Sequence, residues 1–200
     1  MPAAPDTVLA YWFGAPGNAA DIAARQGKLW FGKLPENDRD ITARFSSTLE
    51  AASSGMLDHW AETPHARLAL VIVLDQFPHH VHRDTPLAFS QDAKSLALSV
   101  DALALGEDKQ LAPIERVFLY LPLEHAESVS VQDLSVALYT RLAGEAAESE
   151  HALFDNFLDY ARKHRDVVAR FGRFPHRNAI LGRPSTPEEA EFLKQPGSRF

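Results

Sequence analysis

The chain has 200 residues, a formal net charge of −7 and no cysteine. That length suits one domain, or at most two small ones, and can bury roughly 70% of the unfolded surface without covalent staples. The acidic balance argues against a general nucleic-acid or anionic-membrane surface, and the missing thiols exclude disulfides, thiolate metal sites and cysteine nucleophiles.

Hydrophobic residues at 46% and charged ones at 24% are globular values, so a packed core is expected. The opening Met1-Pro2-Ala3-Ala4-Pro5-Asp6 lacks the basic-then-apolar layout of a signal peptide. The longest apolar run, Leu68 to Leu74, is far too short to span a bilayer. A soluble, cytoplasmic protein is the expectation, with no membrane and no nucleic acid among its partners.

Asp6 is placed to N-cap a first helix carrying Val8, Leu9, Tyr11, Trp12 and Phe13, stopped by Gly14-Ala15-Pro16-Gly17. Asn18 or Asp21 opens a second segment through Ile22, Leu29, Trp30 and Phe31, which Pro35 breaks. From Glu36 the four-residue steps Ile41, Phe45, Leu49 predict a helix with one buried face, ended by Gly55. Leu57 and Trp60 form a short apolar turn. The aromatic pairs Trp12-Phe13 and Trp30-Phe31 read as core filling first, with ligand stacking as the alternative.

Thr63-Pro64 is a strong helix start. The run after it, Leu68-Ala69-Leu70-Val71-Ile72-Val73-Leu74, is apolar on all sides. Periodicity cannot separate a buried helix from a buried strand there, but the cap and the length favour helix. It is then the central helix of the fold. Asp75 and Gln76 sit at its inner end, where a carboxylate must be paired or neutral, so an arginine is expected to meet Asp75.

Phe77 to His82 reads as a turn. Ala88 to Leu105 reads as a helix with Ala93, Leu96, Ala97, Val100 and Leu103 facing inward and Gly106 as its stop. Pro113 opens another through Arg116, Phe118, Leu119 and Leu121, which Pro122 bends or breaks. Ser130 or Asp133 starts the next, ending near Gly144. Glu145 to Phe171 reads as one long helix with Leu153, Phe157, Leu158 and Ala161 inward. Thr186-Pro187-Glu188-Glu189 is a capping box opening a last helix. With no sustained period-2 alternation and no linker, residues 1–200 are expected to form a single all-α domain.

The densest polar stretch is His164 to Arg183, with five arginines and two histidines. Gly172 ends a helix there and Phe174-Pro175 forces a turn. Arg presents a planar fork for carboxylate or phosphate, so the stretch reads either as an anion site or as a structural clamp of capped helix ends. Asp75-Gln76-Phe77-Pro78-His79-His80 echoes Gly172-Arg173-Phe174-Pro175-His176-Arg177. No period typical of tetratricopeptide arrays accompanies it.

His79-His80-Val81-His82 with Asp84 lacks the i, i+4 helical pair of a zinc site, so no metal is expected. His125 with Glu127 is a candidate acid–base pair. There is no Gly-x-Ser-x-Gly elbow, Walker motif or dinucleotide fingerprint, and no cofactor is expected.

Trp12-Phe13-Gly14, Gly55-Met56-Leu57-Asp58-His59-Trp60, Leu74-Asp75-Gln76-Phe77-Pro78, Arg116 to Leu123 and Arg170 to Asn178, with Ser185 to Glu189 and Phe192-Leu193, run in order along the chain. Together they resemble the bacterial domain of unknown function 924 family. The resemblance implies antiparallel helix pairs in a tetratricopeptide-like arrangement and supplies no activity. His79-His80 stand where that family usually has Arg-Asn, and Glu124-His125-Ala126-Glu127 where it usually has Met-His-Ser-Glu. The first change removes a fixed positive charge and the second adds a carboxylate.

These readings converge on a polar pocket walled by Asp75, Gln76, Arg116, Tyr120, His125, Arg173, His176, Arg177 and Asn178. Arg173 and Arg177 are expected near Asp75. One carboxylate cannot neutralise both and Arg116 as well, which would leave positive charge for a ligand. Three functions fit: a binding module for a small anionic metabolite or peptide carboxylate, a metal-independent enzyme acting on such a ligand, or a protein-interaction scaffold. In the enzyme, His125 or His176 would be the acid–base group, oriented by Glu127 or Asp75. An enclosed pocket with unpaired arginines favours the first, a histidine–carboxylate contact inside it the second, and a broad apolar groove the third.

Overall fold

The computed structural model describes residues 1–198 and is all helix and turn, with no strand among them. The helices run in the order α1 (Pro5–Phe13), α2 (Ala19–Phe31), α3 (Pro35–Ser53), α4 (Pro64–Asp75), α5 (Phe77–Val81), α6 (Asp92–Leu105), α7 (Pro113–Glu124), α8 (Val129–Glu145), α9 (His151–Phe171) and α10 (Pro187–Phe192). Short 3-10 turns at Asp58–Glu62, Pro86–Phe89, Glu107–Gln110, Glu148–Glu150 and Pro175–Arg177 join several of them.

α4 is the hub. Pro64 fills its first position after an extended Thr63, and every residue from Leu68 to Leu74 is at most 1% exposed. An all-apolar helix has no solvent face to offer, so it is covered on several sides: α1, α3, α6 and α7 all pack against it. Trp12, Phe77 and Phe118 fill the space between these helices with rings 5.5–5.7 Å from Trp12. α8 packs between α7 and α9. Val167, Val168 and Phe174 form a smaller apolar cluster at the C-terminal end, with Phe171 and Phe192 against it.

Several boundaries differ from the expectation for identifiable reasons. α1 is capped by the extended Ala4 with Pro5 at the first position, so Asp6 lies inside the first turn. Asn18 does cap α2, its side chain accepting from the Asp21 N–H at 2.8 Å. Phe77–Val81 is a short helix rather than a turn. α6 starts at Asp92, and Ser95, Ser99 and Ala102 form its buried face. Ala93, Ala97 and Val100 point outward. Small side chains allow close approach to α4, and both serine hydroxyls are satisfied by carbonyls of their own helix.

Pro122 does not break α7, which continues to Glu124 with Leu123 fully buried. The long helix expected from Glu145 is divided: Ala146 and Ala147 are extended before α9 begins. The break leaves Glu150 free to accept from the Ala19 N–H at 2.6 Å, tying the start of α9 to the start of α2. At the C-terminal end the capping box forms as expected between Thr186 and Glu189.

Candidate functional site

Two chain reversals build the site. α4 ends at Asp75 and turns at once into α5, while α9 ends at Gly172, left-handed at φ 71°, and turns through Phe174-Pro175. Both reversals carry Phe-Pro-His. Phe77 and Phe174 are fully buried anchors, and the histidines after the prolines, His79 and His176, enter one cleft of about 680 Å³. The C-terminal end of α7 adds Glu124 and His125, and α9 adds Phe157, Tyr160 and His164.

At its floor lies a histidine–carboxylate pair. Asp75 is 1% exposed, and its carboxylate accepts from His125 Nδ1–H at 2.9 Å and from the Gln76 amide. Burial pushes the Asp75 carboxyl up, but the His125 charge and hydrogen bond outweigh it and hold it below its ordinary value. Burial lowers His125, yet attraction to Asp75 dominates and the imidazole is raised. Because Nδ1 is committed to Asp75, Nε2 is the nitrogen left for proton exchange in the cleft.

A second pair stands beside it. His164 Nδ1–H is shared by Glu124 Oε1 and the Tyr160 carbonyl, each at 2.8 Å, and its ring centre is 6.4 Å from that of His125. Both partners are buried. His79, 5.7 Å from His125, is lowered to about 3 by burial first and by the charge of His125 next. His176 is likewise lowered to about 3, by burial and then by Arg177. Burial and the Asp75 carboxylate therefore push imidazoles of one cavity in opposite directions.

Arg177 is the arginine of the 164–183 stretch that enters the cleft. It is 6% exposed, its guanidinium carbon stands 4.6 and 4.7 Å from the centres of the Phe89 and Phe174 rings, and it donates from Nη1 to Asp92 at 3.0 Å. The other arginines are clamps. Arg173 binds both oxygens of Glu189, and Arg116 binds Glu145 and the Leu111 carbonyl. Each of the three arginines thus has its own carboxylate, and the expected surplus of positive charge does not exist.

Asp75 meets a histidine rather than an arginine. The reason is positional: His125 caps α7 next to the end of α4, while Arg173 points away toward α10. Glu127 does not orient His125. It holds Arg183 with both oxygens and accepts from the Phe174 N–H at 2.8 Å. Tyr120 donates to the buried Asp108, beside Arg141, and Asn178 bonds Ser185 and Glu189. Of the expected pocket residues, Gln76, His125, His176 and Arg177 line the cleft and Asp75 lies directly beneath. Arg116, Tyr120, Arg173 and Asn178 stand outside it.

His80 turns to Asp38 at 2.8 Å, so the 79–82 histidines do not converge. Among the described residues no group of three or more His, Asp or Glu is placed to hold a metal ion. Sequence reasoning missed the Glu124–His164 pair, the Asp92 partner of Arg177 and the rim residues Phe157 and Tyr160, while Trp30 and Phe31, read mainly as core filling, also line the cleft. One signal was available: His164 continues the inward spacing of Phe157 and Ala161 on α9, where a polar residue is out of place. Lys33 and Asp84, non-glycine residues at φ 46° and 59°, also line the cleft. Such conformations cost energy and concentrate at functional sites. No helix among the described residues is long and apolar enough to cross a membrane.

The chain is similar, at 37% identity, to a solved protein of unknown function from Agrobacterium tumefaciens, with a TM-score of 0.74 over 88% of this chain and 96% of that one. No curated protein matches it. A family model described as bacterial protein of unknown function (DUF924) matches residues 8–197, and the chain belongs to that family.

Proposed function

We propose that the cleft binds a small molecule and that His125, oriented by Asp75, transfers protons to and from it in a metal-independent reaction. The observation that carries this reading is the 2.9 Å contact between His125 Nδ1 and a carboxylate buried under the cleft floor. A buried carboxylate fixes the tautomer, aims the ring and stabilises the imidazolium formed when Nε2 takes a proton. Gln76 holds the other carboxylate oxygen, so the pair cannot rotate freely. The strained Lys33 and Asp84 at the rim support a functional role for the same cavity.

The test starts from a metabolite library screened by ligand-observed NMR, with each binder then incubated in D2O and its mass followed. A binder converted or deuterated by wild type should react roughly 100-fold or more slowly with His125→Gln. Binders that are returned unchanged would make the protein a binding module and end the acid–base reading. That second reading has its own support in the hydrogen-bonding capacity left on Arg177. The scaffold reading has the least support, because the exposed large apolar side chains are scattered over several helices.

A further inference from the structure

The Arg177–Asp92 pair is incomplete in a way the other arginine pairs are not. A guanidinium carries five N–H donors. Arg177 uses Nη1 for one bond to Asp92, while its Nε is fully buried and makes no hydrogen bond, and no bond is made by Nη2 among the described residues. Arg173, by contrast, spends Nε and Nη2 on both oxygens of Glu189 and on the Pro184 carbonyl. A charge that is 94% removed from solvent with donors unmet is expensive to keep, unless something else fills them.

The surroundings point the same way. Burial pushes Asp92 up to about 6 despite the neighbouring Arg177, so the pair compensates itself poorly. Burial lowers Arg177 as well. The Phe89 and Phe174 rings, 4.6 and 4.7 Å from the guanidinium carbon, hold the group in place and offer it no hydrogen-bond acceptor. His125 and His79 on the α7 and α5 sides and His176 next in the chain all feel the Arg177 charge, as do the carboxylates Asp75 and Glu127. An acceptor at Arg177 would therefore sit in the same cavity as His125.

We infer that Arg177 is the anchor for an oxyanion group, a carboxylate or phosphate, on the molecule the cleft binds. The inference rests on the small-molecule reading of the cleft and adds a substrate class to it. An oxyanion that enters the cleft meets Nη2, the terminal nitrogen that Asp92 leaves without a bond and that is not sealed off as Nε is. Asp92 is then an internal competitor. It holds the arginine while the cleft is empty and weakens its grip when the ligand oxyanion arrives. Arg177 is a binding residue here, and His125 remains the proton-transfer group.

Acetate and inorganic phosphate are the probes, titrated at low salt into the full-length protein and followed by the ring resonances of His79, His125 and His176. Wild type should bind at least one of them weakly, with those rings shifting. Arg177→Gln should abolish the shifts. Asp92→Asn, which removes the competitor and keeps the shape, should tighten binding by roughly tenfold. His125→Gln should leave anion binding in place, so loss of conversion there with retained binding separates this inference from the acid–base reading. If Arg177→Gln fails to fold, the Asp92→Asn arm still decides. Equal or weaker anion binding in folded Asp92→Asn would overturn the inference, as would wild-type rings that do not respond to either anion. Shifts that survive in a folded Arg177→Gln would mark an adventitious ion only and also overturn it.

Discussion

The cleft forces two imidazoles to stay neutral at a pH where a free histidine begins to charge. His79 and His176 are both lowered from 6.5 to about 3, chiefly because burial disfavours the charged ring. The unfolded chain protonates them first as pH falls, so acid drives unfolding. Asp92 acts in the opposite sense. Its folded value of about 6 exceeds its ordinary 3.8, so the folded form binds the extra proton between those limits. His79 and His176 against Asp92 leave about one proton net to the unfolded state between roughly pH 4 and 6, and the lowered His80 acts in the same direction, so about 1.4 kcal/mol or more is lost per pH unit as pH falls. Urea unfolding at pH 5 and pH 6 should show that loss, and His176→Phe should flatten most of it. An unchanged slope in that variant would mean His176 is protonated in the folded state. His125 contributes with the other sign at higher pH. Its raised value adds stability below about 6.5 that fades as pH climbs through the folded value. Asp75 was legible as a buried carboxylate needing a partner, but the partner's identity was not. Nothing in local sequence says that the C-cap of α7 arrives at the end of α4 while Arg173 turns toward Glu189.

Among the elements, α4 was the easiest to read and α6 the hardest. Seven consecutive apolar residues behind Thr63-Pro64 leave a buried helix little alternative, and the observed exposure of at most 1% agrees. Leu70→Asp should abolish folding, because it places a charge at a fully buried position of an all-apolar helix, whereas Leu70→Ala should cost about 2–5 kcal/mol by urea melting. α6 misleads in part: Leu96 and Leu103 pack against the core as their spacing suggests, but Val100 and Leu105 face outward and the fully buried stripe is made of small residues. Val100 is 42% exposed, while Ser95 and Ser99 are fully buried. Ranking by hydrophobicity misses the buried serines when a helix packs closely and its hydroxyls bond back to its own carbonyls. The corrected face makes an unequal pair of expectations. Ser99→Leu should lose about 1–3 kcal/mol by overpacking against α4, and Val100→Ser should move stability by no more than about 0.5 kcal/mol. Equal effects in denaturant melts would return α6 to the orientation its hydrophobic pattern suggests.

At the scale of the whole molecule, the cleft is a junction between the α4 hub and the C-terminal segment that follows α9. The all-α class was readable from periodicity, but the convergence of the two Phe-Pro-His turns was visible only as a short echo with no spatial meaning. Residues 172–183 are tied to the α7–α8 connection chiefly through Glu127, whose carboxylate receives Arg183 twice and the Phe174 amide once. Arg183 and the Phe174 amide together lower the Glu127 carboxyl against the effect of burial, which marks these bonds as stabilising the charged form. Removing the carboxylate leaves the Phe174 N–H without its acceptor while Phe174 itself stays packed against Val167 and Val168. Glu127→Ala should therefore loosen the segment without melting the hub. Hydrogen exchange should accelerate at the Phe174 amide and the Arg177 and Asn178 amides after it, while amides of α4 remain protected. Because Arg177 and His176 ride on that segment, acetate and phosphate binding should weaken in parallel. Unchanged exchange at Phe174 would show that the buried ring alone holds the turn, and the Arg183–Glu127 clamp would then be dispensable to the cleft.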